Sequence, residues 1–181
     1  MSGFIYWDAS ALVKRYAPEV GTPVVNRLFS EVPRERMMGL GLAVGEVISI
    51  FVRKRNAGLV SEEAFSQALA DFRAEVIDSP FRLLSVEDRF LMDSLPLIVQ
   101  HSLNATDALV LCSALEQKRR LAEGDELVLV ASDLRLLRAA QIEGLATFNP
   151  ETDPIAPLEP LLRRAPQRKT KAEPRGGDGK T

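Results

Sequence analysis

The sequence predicts an α/β fold with a mainly parallel sheet, and three observations predict it. Short segments of strand character alternate with longer segments of helical spacing along the chain. The run Leu127-Val128-Leu129-Val130 is apolar without interruption, as a parallel strand buried on both faces must be. Residues that start and stop helices (Thr22-Pro23, Ser61, Asn104, Gly144) fall between the apolar segments.

The elements follow in order. Phe4-Ile5-Tyr6-Trp7 reads as a short buried strand stopping at Asp8. Ala9 to Tyr16 has apolar residues at helical spacing (Ala9, Leu12, Val13, Tyr16) and is closed by Pro18. Thr22 as cap with Pro23 at the first helical position opens a helix to about Ser30. Arg36 to Leu42 suits a short strand, and Ala43 to Arg55 a helix with Gly58 just beyond its end. Ser61-Glu62-Glu63 starts a helix running to about Val76, because acids favour the first turn. Arg82 to Val86 reads as a strand, then Val86 to Gln100 as a helix that Pro96 kinks or breaks. Asn104 opens a helix to about Arg120, and Glu126 to Ala131 is the continuous apolar strand. Leu134 to Glu143 is a helix ended by Gly144, and Leu145 to Phe148 is a final strand.

The 181 residues suit one domain, and 46% hydrophobic content is enough for its core. Aromatic residues are only 6%, so Leu, Val, Ile and Ala must build that core. The single Cys112 forms no intramolecular disulfide and no cysteine zinc site, and its apolar surroundings assign it a buried structural role. The single His101 excludes a histidine metal pair, and no neighbouring Ser or Asp completes a triad around it. No basic leader precedes the first apolar run, and no stretch approaches the ~18 apolar residues of a membrane span, so a cytoplasmic protein is expected.

Charge divides the chain unevenly. The segment 163–181 holds seven basic and two acidic residues, a net +5 that leaves −7 on the remainder. Its Pro, Gly, Lys and Arg content, without large apolar residues, predicts a disordered tail beyond a folded domain over 1–162. An acidic body suits a nucleic acid only if cations offset its charge, which bound divalent metal or the basic tail would do.

Four acids stand out. Asp8 ends the first strand, and Asp133 follows the strand 126–131; in open α/β sheets the functional crevice lies at such strand ends. Asp107 sits in the first turn of the helix opened by Asn104, and Glu46 lies in an apolar helix among Leu42, Ala43, Val44, Val47, Ile48 and Ile50. Each also has a structural explanation: Asp8 and Asp133 as helix caps, Asp107 as a first-turn acid, Glu46 as a solvent-facing position. Together they suit one chemistry. Hard divalent cations prefer oxygen ligands, and a metal so held lowers the pKa of a bound water and stabilises charge on a phosphoryl oxygen. With no Cys, His or Ser catalytic set, carboxylate-held metal is the simplest hydrolytic route this chain offers.

Four segments carry a family resemblance. Ile5-Tyr6-Trp7-Asp8-Ala9-Ser10-Ala11-Leu12-Val13-Lys14, Ala43-Val44-Gly45-Glu46-Val47, Asn104-Ala105-Thr106-Asp107-Ala108-Leu109 and Val130-Ala131-Ser132-Asp133-Leu134-Arg135-Leu136-Leu137 resemble, in order and rough spacing over about 4–150, the acid motifs of PIN-domain ribonucleases. Within that group they resemble the VapC-type toxins of toxin–antitoxin pairs. Gly45 departs from the pattern, where Ala or another small residue is commoner, and the tail is not part of it. The resemblance implies a three-layer α/β/α sandwich whose acids converge at one end of the sheet. It implies that Asp8, Glu46, Asp107 and Asp133 bind one or two Mg²⁺ or Mn²⁺ ions and that RNA is hydrolysed to 5′-phosphate and 3′-hydroxyl ends. Ser10, Asn104 and Ser132 would orient the carboxylates or the water by hydrogen bonds. A homodimer and a cognate antitoxin partner are implied too, and the face Phe65, Leu69, Phe72 is a candidate partner surface, or else packs in the core.

Other readings fit less well. A haloacid-dehalogenase-like phosphatase needs a second Asp two residues after the first, where this chain has Ser10. Gly39, Gly41 and Gly45 are one residue off the dinucleotide-binding spacing and far from the first strand. The serious alternative is a non-catalytic PIN-like module that binds RNA or protein; all four acids being present favours an enzyme.

Overall fold

The computed structural model describes residues 3–159. The chain begins with β1 (Gly3–Trp7), α1 (Ala9–Leu12, extended by a 3-10 turn to Arg15) and α2 (Thr22–Glu31). It continues through β2 (Met37–Leu40), α3 (Leu42–Asn56), α4 (Glu62–Phe72) and β3 (Arg82–Leu84). The last part comprises α5 (Asp88–His101), α6 (Ala105–Arg120), β4 (Glu126–Val130), α7 (Leu134–Ile142) and β5 (Ala146–Phe148).

The five strands form one sheet in the order β3-β2-β1-β4-β5, and every pairing is parallel. This is the expected α/β sandwich. Strand alternation divides the core, because successive side chains point to opposite faces. Ile5 and Trp7, with Met37, Val128, Val130 and Phe148, face α1 to α4. Tyr6, with Met38, Leu40, Leu127 and Leu129, faces α5 to α7. The central strand β1 is thus apolar throughout because both faces are covered.

Register places the strand ends. Trp7 pairs with Val130, and the Asp8 amide donates to the Val130 carbonyl at 3.0 Å, so β1 and β4 finish side by side. Gly39 lets β2 approach this centre: a Cβ there would lie 2.9 Å from the Trp7 carbonyl oxygen. Gly21, at φ +91°, serves the loop after β5, since a Cβ on it would meet the Pro150 carbonyl oxygen at 2.9 Å.

Several expectations need correction. The first helix is one α turn and a 3-10 turn. The helix after Ser61 is α-helical only to Phe72, then widens into a π turn over Arg73–Ile77. Pro96 does not break α5, which runs through it. Of the two readings of the Phe65, Leu69, Phe72 face, packing in the core is the one that holds, since Phe65 and Phe72 are buried with Leu69 against the same cluster. No helix among the described residues is long and apolar enough to cross a membrane. The basic tail 163–181, and the boundary expected at 162, lie outside the described residues.

Candidate active site

Asp8 leaves β1 and caps α1: its Oδ2 accepts the Ser10 amide at 2.9 Å and also the Ser10 hydroxyl. Asp133 caps α7, its Oδ1 accepting the Arg135 and Leu136 amides at 2.8 and 3.0 Å. Asn104 caps α6 through the Asp107 amide at 2.8 Å, and its Nδ2 donates to Asp107 Oδ2 at 2.8 Å. The local explanations of these residues are therefore all observed. Capping is compatible with a second role, because Asp107 and Asp133 each commit one carboxylate oxygen to a described hydrogen bond and leave the other without one.

Glu46 comes from α3, half-buried, with no cap to form. Asp8, Glu46, Asp107 and Asp133 line one cavity of about 340 Å³. Parallel topology puts Asp8 and Asp133 at adjacent strand ends, while α3 and α6 bring their acids from opposite faces of the sheet.

The supporting residues divide. Ser10 reaches both strands: its hydroxyl donates to Asp8 and accepts the Ser132 amide at 2.9 Å. Asn104 orients Asp107. Ser132 contributes its backbone only, because its own hydroxyl is buried without a hydrogen-bond partner.

The acids work against one another. Burial pushes the Asp8 carboxyl up; Ser10 and the Ala9 amide oppose this, and the Asp133 charge adds to it. Burial also raises Glu46, with contributions from Asp8 and Asp107. Asp107 is pushed up to about 6 by burial and then by Asp133 and Asp8, with Arg135 pulling the other way. An anionic recess of this kind is relieved by a proton or a cation. Among the described residues, no three His, Cys, Asp or Glu side chains are grouped closely enough to cage a metal unaided. The donor set is nonetheless all oxygen, which suits a hydrated Mg²⁺-like ion held by one or two carboxylates, waters and substrate phosphate.

Sequence reasoning missed part of the wall. Ser49, Ile50 and Arg53 line the cavity with Glu46. They stand three, four and seven residues beyond it, one helical face, so the spacing contained the signal. An adjoining cavity of about 360 Å³ shares Ser10, Ile50 and Asp133 and adds Lys14, Glu19 and Glu151. Lys14 is buried and donates to Glu19 at 2.9 Å and to Glu151 at 2.6 Å, pinning the loop after β5 to the segment after α1.

No protein-family model matches the chain, and no curated protein does. Solved structures do match. PAE2754 from Pyrobaculum aerophilum aligns over 81% of this chain and 92% of its own, at TM-score 0.56 and 22% identity. FitAcB from Neisseria gonorrhoeae aligns over 81% of this chain and 98% of its own, at TM-score 0.56 and 19% identity. FitAB bound to the IR36 DNA fragment aligns over 83% of this chain and 98% of that one, at TM-score 0.57 and 16% identity. At such identities the likeness is one of fold, and the α/β sandwich of this chain is the fold those three structures share with it.

Proposed function

We propose that this protein is a Mg²⁺- or Mn²⁺-dependent endoribonuclease of the PIN-domain kind, the toxin of a toxin–antitoxin pair. One observation carries the reading: Asp8, Glu46, Asp107 and Asp133, from four separate segments, line a single cavity at the carboxyl end of a parallel sheet. Burial, and after it the neighbouring carboxylate charges, raise the Asp8, Glu46 and Asp107 carboxyls, and such a set of shifted acids in one recess supports it.

These four residues would hold the cation. When bound, such an ion lowers the pKa of a water and stabilises charge on a phosphoryl oxygen. The chain's own part is positioning. Ser10 fixes one oxygen of Asp8, Asn104 fixes one of Asp107, and two α7 amides fix one of Asp133. Three of the four carboxylates, Asp8, Asp107 and Asp133, are thus oriented before substrate arrives, which saves reorganisation during the reaction.

A cognate antitoxin and a homodimer belong to this reading. FitAB, the similar assembly, binds a DNA fragment; a DNA-binding partner for this chain is the corresponding proposal. Self-association is supported by α5, where Leu91, Met92, Leu95 and Val99 are exposed and three of them recur at a spacing of four.

The test is cleavage of RNA by the purified protein with Mg²⁺ or Mn²⁺ and with EDTA. Cleavage should need the metal and disappear in Asp8→Asn, Glu46→Gln and Asp107→Asn, with a smaller loss in Asp133→Asn. Asn is as good a helix cap as Asp, so Asp8→Asn keeps α1. Unchanged cleavage by Asp8→Asn would overturn the site. No cleavage of any RNA by a folded, metal-supplied protein would favour a non-catalytic binding module.

A further inference from the structure

Sixteen Lys and Arg residues fall within the described part of the chain. Almost all are engaged: Lys14 with Glu19 and Glu151, Arg15 with Glu75, Lys54 with Glu19, Arg135 with the Ser102 carbonyl, Arg120 with Glu116. Arg53 and Arg138 differ. Among the described residues neither guanidinium has a hydrogen bond, an ion pair or a ring contact, and both are exposed.

Each also lines a cavity. Arg53 lies on the wall of the four-carboxylate cavity, on the Glu46 face of α3. Arg138 lines a polar cavity of about 250 Å³ between α7, β5 and the loop after it, with Leu134, Gln141, Thr147, Asn149 and Asp153. Neighbouring residues link the two walls: Asp133 lines the first cavity and Leu134 the other, while Glu151, between Asn149 and Thr152, lines the cavity that shares Ser10 and Asp133 with the first.

A recess walled by carboxylates repels a polyanion, so a nucleic-acid substrate needs cations beside it. An ion-paired Arg would have to give up its partner to bind phosphate, whereas an unpaired one presents its planar fork at once. Asp8 is only 6% exposed, so a scissile phosphate has to be brought down into the recess to approach it. A single strand does that without breaking base pairs.

We propose that Arg53 and Arg138 grip backbone phosphates of a single-stranded RNA on the two flanks of the carboxylate cavity, directing the strand across the carboxyl end of the sheet from α3 to α7. The assignment to RNA rests on the ribonuclease reading; the phosphate contacts do not require that cleavage occurs.

The experiment measures binding of a single-stranded oligoribonucleotide to the full chain with Ca²⁺ in place of Mg²⁺, checking that the strand stays intact. Wild type, Arg53→Gln, Arg138→Gln and the double variant are titrated over a range of salt. Arg73→Gln, which lines none of these cavities, is the control. Each single variant should bind about 10-fold more weakly at low salt. Each should lower the slope of log affinity against log salt by about 0.7, and the double variant by about twice that. Arg53→Lys should keep the slope, because charge is retained. Cleavage with Mg²⁺, measured separately, should show KM raised at nearly unchanged kcat. Variants that keep wild-type affinity and slope would overturn the inference, whatever they do to cleavage. Weakened binding by variants of a protein that cuts nothing would uphold the two contacts and reject the nuclease reading. A wild type that binds no strand would overturn both.

Discussion

The Ser10 hydroxyl accepts the Ser132 amide at 2.9 Å while donating to Asp8, so one side chain ties together the carboxyl ends of β1 and β4. Ser10→Ala removes both bonds and leaves a buried amide and a buried carboxylate each short of a partner. The expected cost is about 2 kcal/mol of unfolding free energy, read by urea denaturation. Cleavage should fall more than stability implies, because Asp8 loses its orientation. A variant as stable and as active as wild type would show the bridge to be incidental.

Asp107 makes the metal-free protein pH-sensitive. Its carboxyl is pushed from an ordinary 3.8 up to about 6 by burial, with Asp133 and Asp8 adding to it. The folded state therefore holds this proton where the unfolded state has lost it. That contribution to stability is complete below about pH 4 and disappears as pH rises through about 6. Half-exposed and solvent-screened, it amounts to about 1 kcal/mol. Asp107→Asn should lack this loss between pH 4 and 6, flattening the profile of melting temperature against pH, while abolishing cleavage. Addition of Mg²⁺ at pH 8 should stabilise wild type more than the variant. Identical pH profiles for the two proteins would count against the carboxylate strain.

Lys14 is a buried cation held by two half-exposed carboxylates. Lys14→Met keeps much of the apolar stem but leaves Glu151 without that partner and Glu19 with Lys54 alone. Breaking a buried pair from one side is costly, here about 2 kcal/mol because both acids reach solvent. The loop after β5 should loosen first, visible as faster amide hydrogen exchange at Glu151 to Asp153, whose amides bond Asn149. Uniform exchange across the chain would point to a global effect instead.

The apolar strip on α5 predicts self-association. Val99 is 84% exposed and Met92 67%. A double substitution Met92→Lys, Val99→Lys should convert a dimer to a monomer in sedimentation equilibrium, with melting temperature little changed because neither residue is in the core. A wild type that is monomeric at high concentration would remove the dimer from the functional reading.

Much of this architecture was legible locally. The strands β1 and β4, the helix caps at Ser61 and Asn104, and the stop at Gly144 follow from periodicity and capping chemistry, which need only near neighbours. The Glu46 face of α3 was equally readable at three, four and seven residues, where Ser49, Ile50 and Arg53 follow it. The π turn at Arg73–Ile77 and the unbroken passage of α5 through Pro96 were not readable, because surrounding packing decides whether a strained backbone is tolerated.

Periodicity showed apolar faces on both α4 and α5 but not what covers them. Phe72 packs its ring against Tyr16 and Phe51 and Phe65 is buried in the same core cluster, while the α5 strip meets solvent. The acids divide in the same way. The sequence by itself determined that Asp8 ends a strand, that Asp107 and Asp133 stand at helix starts and that Glu46 lies in an apolar helix. Only the tertiary structure decided that these positions share one cavity. Convergence depends on β1 and β4 lying side by side and on α3 and α6 covering opposite faces, pairings between residues far apart in the chain that no local pattern encodes.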